Sequence, residues 1–181
     1  GTCHEPTSQG NEECEEIAAE PVTDGPGLEA RLAAEDPSDQ DDPPSVIHSG
    51  DPFTDRKSTF QAHLCEVASK QDVACVLRVL KSNSKIARAT HNITAYRITL
   101  ESGQVLQDCD DDGESSAGGR LLHLLQIVDA QNVVVVVSRW YGGIQLGPDR
   151  FKHINNVARA LLDHHGFIAA AGPKAKGGKK K

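Results

Sequence analysis

Methionine is absent from the 181 residues, tryptophan occurs once, and aromatic side chains make up only 4% of the chain. With 38% hydrophobic residues, this is less apolar material than a chain packed end to end supplies, so part of the sequence is expected to lie outside any core. Apolar runs stop at five residues, Val133–Val137 among them, far short of the roughly 20 that cross a bilayer, and no membrane partner is expected. Cys3, Cys14, Cys65, Cys75 and Cys109 form no C-x-x-C pair, and their odd number argues against a disulfide framework. Reduced thiols, with no secretory leader pattern at the start, lead to the expectation of a cytoplasmic protein. Because methionine is missing even at the first position, the chain is expected to be a piece of a longer one.

The charges divide the sequence. Residues 1–52 hold fourteen acids and a single base, Arg31, among Pro, Ser, Gly and Gln. So polar a stretch buries too little apolar surface to offset its ordering entropy, and 1–52 is expected to be a disordered acidic linker. Residues 172–181 carry five lysines and no acid, which predicts a disordered basic tail. Residues 53–171, the expected domain, keep twelve acids and thirteen bases, so the net charge of −7 belongs to the flanks. Five of those twelve acids sit in Asp108–Glu114; without them the domain would be near +6, a moderately basic field that is consistent with nucleic acid and far from diagnostic of it.

Periodicity within 53–171 predicts alternating elements. Ser58–Val67 alternates with Phe60, Ala62 and Leu64 on one face, as a half-buried strand does. Ser69 with Asp72 three residues on forms a capping box, and Val73, Val76, Leu77 and Leu80 follow at helical spacing. A second strand over 93–100 turns through Glu101–Gln104 into a third beginning at Val105. Ala117–Ala130 reads as a helix, and Asn132–Trp140 as a strand apolar on both faces and therefore central. Pro148 opens a last helix, where its missing N–H does no harm, and Gly166 ends it. The order β-α-β-β-α-β-α, taken alone, suggests a ferredoxin-like two-layer sandwich.

The acidic stretch DCDDDGESSAGGR, 108–120, invites a calcium reading. Asp108, Asp110, Asp112 and Gly113 fit the first positions of an EF-hand loop, but position 12 falls on Gly119, which has no carboxylate, and a strand rather than a helix precedes it. Weak cation binding is all that this leaves, and no metal site or cofactor is expected. Ser115 and Ser116 lie in no nucleophile elbow, and Cys109 among aspartates is a poor thiolate. The Gly142–Gly147 loop lacks the ending of a phosphate loop, and a tight turn is its simplest reading. Asn92-Ile93-Thr94 is a formal glycosylation sequon inside a strand pattern. Arg97 and Arg139 lie in strands, where an arginine needs a carboxylate. An ion cluster joining Arg97 and Arg139 to Asp111, Asp112 or Glu114 is therefore expected, with a ligand site at the same residues as the alternative.

Four segments, DRKSTFQAHL (55–64), HNITAYRI (91–98), LQDCDDDGESSAGGRLLHLL (106–125) and VVVSRWYGGIQLGPDRFKHINN (135–156), together resemble the conserved C-terminal domain of the IMPACT protein family in its eukaryotic members, whose relatives include the bacterial YigZ-type proteins. The resemblance covers nearly all of residues 53–166. It implies an α+β fold, the two-layer sandwich of ribosomal protein S5 domain 2, in place of the ferredoxin-like strand order. It further implies a non-enzymatic, ribosome-associated repressor of translation in the stress response. Such a protein restrains the amino-acid-sensing kinase of initiation factor 2 by competing for that kinase's activator, largely through an N-terminal RWD domain that this sequence does not include. An RNA- or ribosome-binding module is the alternative, and a hydrolase using the acidic loop and Arg139 a third reading. The motif positions His91, Arg97, Asp111, Asp112, Glu114, Arg139, Tyr141, Gly142 and Gly143 are the candidate binding residues.

Overall fold

A computed structural model of the chain describes residues 25–33 and 42–169. The expected basic tail and residues 1–24 and 34–41 of the expected linker lie outside them. Within them run α1 (Leu28–Ala33), β1 (His48–Ser49), β2 (Phe53–Asp55), β3 (Ser58–Glu66), α2 (Lys70–Ser82), α3 (Ser84–Ala87), β4 (His91–Thr99), β5 (Val105–Asp110), α4 (Ala117–Ile127), β6 (Val133–Trp140) and α5 (Asp149–His164).

The strands form one antiparallel sheet in the order β1-β3-β6-β4-β5, with β2 also paired to β3. Among the four long strands, the last in sequence lies between the first two. A ferredoxin-like sheet puts the third there, so the order read from periodicity alone is corrected, while the α+β sandwich stands. The valines of β6 explain its position: every residue from Val133 to Arg139 is buried, because the strand has neighbours on both sides and helices over both faces.

The principal layer of helices, α4 and α5, covers the face carrying Phe60, Ala62, Leu64, Ile93, Ala95, Val133, Val135 and Val137. The opposite face, with Cys65, Tyr96, Ile98, Val134 and Val136, lies under α1, α2 and α3. Helix α2 starts as its sequence predicts. The Ser69 side chain accepts from the Asp72 N–H at 3.2 Å, and the Asp72 carboxylate accepts from the Ser69 N–H at 3.0 Å.

Two pieces of the expected linker, residues 25–33 and 42–52, lie among the described residues. Leu28 and Leu32, one helical turn apart, are 1% and 7% exposed against the α2 face of the sheet. Residues 47–50 follow the edge of β3, with His48 opposite Leu64. A two-leucine anchor in an acidic stretch is too short for composition to detect, yet it buries both side chains.

Candidate functional site

Three carboxylates of the acidic stretch, Asp110, Asp111 and Asp112, are spent on backbone donors. Asp111 accepts from the N–H groups of Gly118 at 2.7 Å and Ser116 at 3.1 Å, capping α4 from upstream. Ser116 itself has φ 68° and makes no capping bond. This cap is possible only because residue 118 is glycine: a Cβ there would lie 2.8 Å from both the Asp110 carbonyl carbon and Asp111 Oδ1. Asp112 Oδ2 accepts from the Asn92 N–H at 2.8 Å, and Asp110 Oδ1 from the Asp112 N–H at 2.8 Å. The stretch is a hydrogen-bonded turn that joins β5 to α4 and ties both to the start of β4. Asn92 of the formal sequon is buried there, its amide donating to Ile86 O and accepting from Ser138 Oγ.

Glu114 faces the other way, into the protein, and is 3% exposed. Its Oε2 accepts from Arg139 Nη1, itself on a residue only 4% exposed, and its Oε1 lies 3.1 Å from Arg150 Nε. His91 Nε2 lies 3.6 Å from the same Oε2, while the ring's Nδ1 donates to Asp112 O at 2.7 Å, since a carbonyl can only accept. One carboxylate thus binds the end of β6 and the first turn of α5, with the start of β4 beside it. The Arg139 guanidinium also lies near the rings of Phe60 and Tyr141, 5.5 and 5.6 Å from their centroids.

Arg97 is not in this cluster, contrary to expectation. In the β4–β6 register His91 is opposite Arg139 and Arg97 opposite Val133, so the two arginines occupy opposite ends of the sheet, about 20 Å apart at the rise of a strand. Arg97 Nη1 instead donates to Leu125 O at 3.2 Å and Ala130 O at 3.1 Å, with Asp129 at 3.5 Å. It serves the C-terminal end of α4, where carbonyls lack helical partners and a cation is favoured. Asp111 and Asp112, assigned to the same cluster, hold backbone N–H groups rather than guanidinium. Arg150 was not foreseen. Its place in the first turn of a helix, where the macrodipole disfavours a cation, is the signal that it needs an acid.

Beyond Arg139 the chain leaves the sheet as the loop containing Tyr141, Gly142 and Gly143. Tyr141 N donates to Thr90 Oγ1 at 2.9 Å and Gly142 N to Ser58 Oγ at 3.2 Å. Gly142 is pressed against the β2–β3 turn: a Cβ at this position would stand 2.0 Å from Lys57 O. That turn places Arg56 and Lys57 at φ 44° and 65°, the left-handed pair of a tight hairpin. Arg56 ties it to α5 through Asp149 at 2.7 Å, and His153 to Asp55 at 2.7 Å. Tyr141 and Ile144 remain 46% and 42% exposed on this braced loop.

Burial, with Asp108 and Asp111 nearby, pushes the Cys109 thiol up to about 11, so it carries little thiolate at neutral pH. Among the described residues no three His, Cys, Asp or Glu side chains converge as a metal ion requires, and no helix is long and apolar enough to cross a membrane.

Residues 56–162 match the family described as Impact N-terminal domain. The chain is 57% identical over 145 residues to Protein IMPACT-B of Xenopus tropicalis, covering 80% of this chain and 46% of that one. It is 64% identical over 120 residues to Protein IMPACT of Homo sapiens, covering 66% and 37%. With Protein IMPACT of Mus musculus the identity is 54% over 156 residues, covering 85% and 49%. The chain spans about half the length of most of the curated relatives it matches. Among solved structures, the two-domain translational regulator Yih1 is 45% identical with a TM-score of 0.52, covering 74% of this chain and 54% of that one. A hypothetical protein at 20% identity and a TM-score of 0.53, covering 67% and 59%, shares the fold. The acidic turn, the Glu114 cluster and the glycine loop all lie within the matched span, and the chain belongs to the IMPACT family.

Proposed function

We propose that this chain is part of a regulator of translation that works through protein contacts. The observation that carries this reading is the 45% identity, over 74% of the chain, to a protein described as a two-domain translational regulator. The finer mechanism is restraint of the amino-acid-sensing initiation-factor-2 kinase by competition for its ribosome-associated activator, in the cytoplasm. In this reading the Glu114–Arg139–Arg150 cluster and His91 form a brace, Asp111, Asp112 and Arg97 fix α4 and β4, and the Tyr141–Gly143 loop presents the contact surface. The commitment of both Glu114 oxygens to arginines supports a scaffold, since a hydrolase built on this loop needs a carboxylate free to take a proton.

A second reading, binding of RNA or the ribosome, draws on the basic balance outside Asp108–Glu114 and on Arg120 and Arg150, which both lie over the Phe151 ring, 4.4 and 4.7 Å from its centroid. The test is a pull-down from cytosol with the whole chain as bait, split into nuclease-treated and untreated halves, beside a Tyr141→Ala bait. Retention of the kinase activator after nuclease, reduced by Tyr141→Ala, supports the proposal. Loss of every partner with nuclease overturns it in favour of the RNA reading.

A further inference from the structure

Helix α1 does not hold itself together. It is six residues long, far below the length at which a helix is stable alone, and its first-turn donor is capped by another part of the protein. Leu28 N donates to Asp110 Oδ2 at 2.7 Å. Beside its own bonds from Arg31 to Pro26 O and Gly27 O, the segment is held by the groove between α2 and β5. Leu28 and Leu32 enter the apolar surface made by Leu77, Leu80, Tyr96 and Ile98. Arg31 reaches Asp108 Oδ2 at 3.0 Å and Cys109 O at 3.2 Å, and Glu29 pairs with Lys81 at 2.8 Å. This is the pattern by which a groove binds an amphipathic helix: two anchors at i and i+4, an end cap and flanking charges.

The fit is incomplete. A cavity of about 140 Å³ remains beside Gly27, Leu28 and Glu29, lined on the domain side by Leu77, Lys81, Asn92, Thr94, Asp110 and Asp112. The ion pairs that close the groove are well exposed, at 41% and 39% for Arg31 and Asp108, so they hold the segment weakly. Only eight residues, 34–41, join α1 to the next described position.

We propose that the groove between α2 and β5 is a docking site for a short amphipathic helix of a partner protein, and that residues 26–33 are a tethered occupant which such a helix displaces. The partner helix carries an apolar anchor, an acid one position later, an arginine two positions after that and a leucine next, the order Leu28, Glu29, Arg31, Leu32. This surface lies against α2 and β5, apart from the Tyr141 loop, and does not depend on the reading proposed for that loop.

The probe is a fluorescein-labelled peptide with the sequence of residues 25–33, GPGLEARLA. Fluorescence polarisation compares the whole wild-type chain with the Leu28→Ala/Leu32→Ala chain, whose own segment no longer fills the groove. A tether of this length holds the segment at about millimolar effective concentration, so opening the groove should strengthen peptide binding by about tenfold or more. Adding Asp110→Asn, which weakens the acceptor for the first N–H of the helix, should weaken peptide binding again. Arg31→Glu, which loosens the segment by charge while leaving the anchors in place, gives the same test should the double variant fail to fold. An absence of binding in both opened chains, equal binding by opened and wild-type chains, or indifference to Asp110→Asn overturns the proposal.

Discussion

Lowering the pH from 7.5 to 4.5 should destabilise this domain by about 2.5 kcal/mol through His63 alone. The ring is 2% exposed on β3, with Nδ1 2.7 Å from Ser49 Oγ and no partner for Nε2 among the described residues. A second ring proton would therefore be buried without an acceptor. Burial, assisted by the nearby Lys85 charge, lowers its pKa from 6.5 to about 4. The unfolded chain takes up this proton near pH 6.5 and the folded chain only near pH 4, so between those values the unfolded state binds more protons. Stability from this group is complete above 6.5 and falls as the pH falls, at up to about 1.36 kcal/mol per pH unit. For a domain of this size a loss of about 2.5 kcal/mol lowers the melting temperature by roughly 5–10 °C. Urea unfolding of the wild-type and His63→Asn chains across this range measures the effect as a difference of slopes, whatever the variant costs at neutral pH. His165 is also lowered, by burial and by the neighbouring His48 and His164, and loses stability in the same direction, so both chains should carry His165→Gln. Asp55 and Asp149, held below 3.8 by hydrogen bonds from Arg56, lose their contribution only at more acid pH, outside the window. Parallel slopes in the two chains, or an NMR titration of His63 near 6.5, would refute the reasoning.

Glu114→Gln keeps the shape of the site but leaves Arg139 buried without its counter-charge, and should cost about 3–5 kcal/mol in urea unfolding. A loss below about 1 kcal/mol would mean that the arginines find other partners. Gly118→Ala and Gly119→Ala are neighbours on α4 with opposite expectations. The first drives a Cβ to 2.8 Å from the Asp110 backbone and should cost about 1–3 kcal/mol, whereas the second meets nothing within 4 Å and should gain about 0.5–1 kcal/mol. Equal melting shifts would refute the packing argument. Gly142→Ala places a Cβ 2.0 Å from Lys57 O, and should cost about 3 kcal/mol and expose the 141–147 loop to proteolysis.

The seven long elements are legible because each buries a periodic or a continuous apolar surface. The alternation of β3, the 3.6-residue stripe of α5 and the unbroken valines of β6 all describe which surfaces leave water. The short elements have no such period. β1 has two residues, β2 three and α3 four, and they are ordered by what they dock on. The site was legible to the same extent. That a strand arginine seeks an acid follows from desolvation alone, and Arg139 with Glu114 obeys it. Which arginine reaches which acid depends on the β4–β6 register, and no local pattern near Arg97 reveals that it faces the far end of α4.

That division of the arginines explains how the fold holds the exposed loop. α4 is fixed at its first turn by Asp111 and at its last by Arg97, one from the β5–α4 turn and one from β4. The helix cannot slide along the sheet without breaking a cap at one end or the other. Glu114 sits at the capped start of this fixed helix, so its carboxylate is a stationary point from which Arg139 and Arg150 are held. Those two arginines bracket the 141–147 loop, one just before it and one just after. The loop's ends are therefore positioned by the same cap that begins α4, and Gly142 against Lys57 supplies a third point. A change at Asp111, which touches no loop residue, should accordingly alter the Tyr141 environment, whereas a surface change on α2 should not.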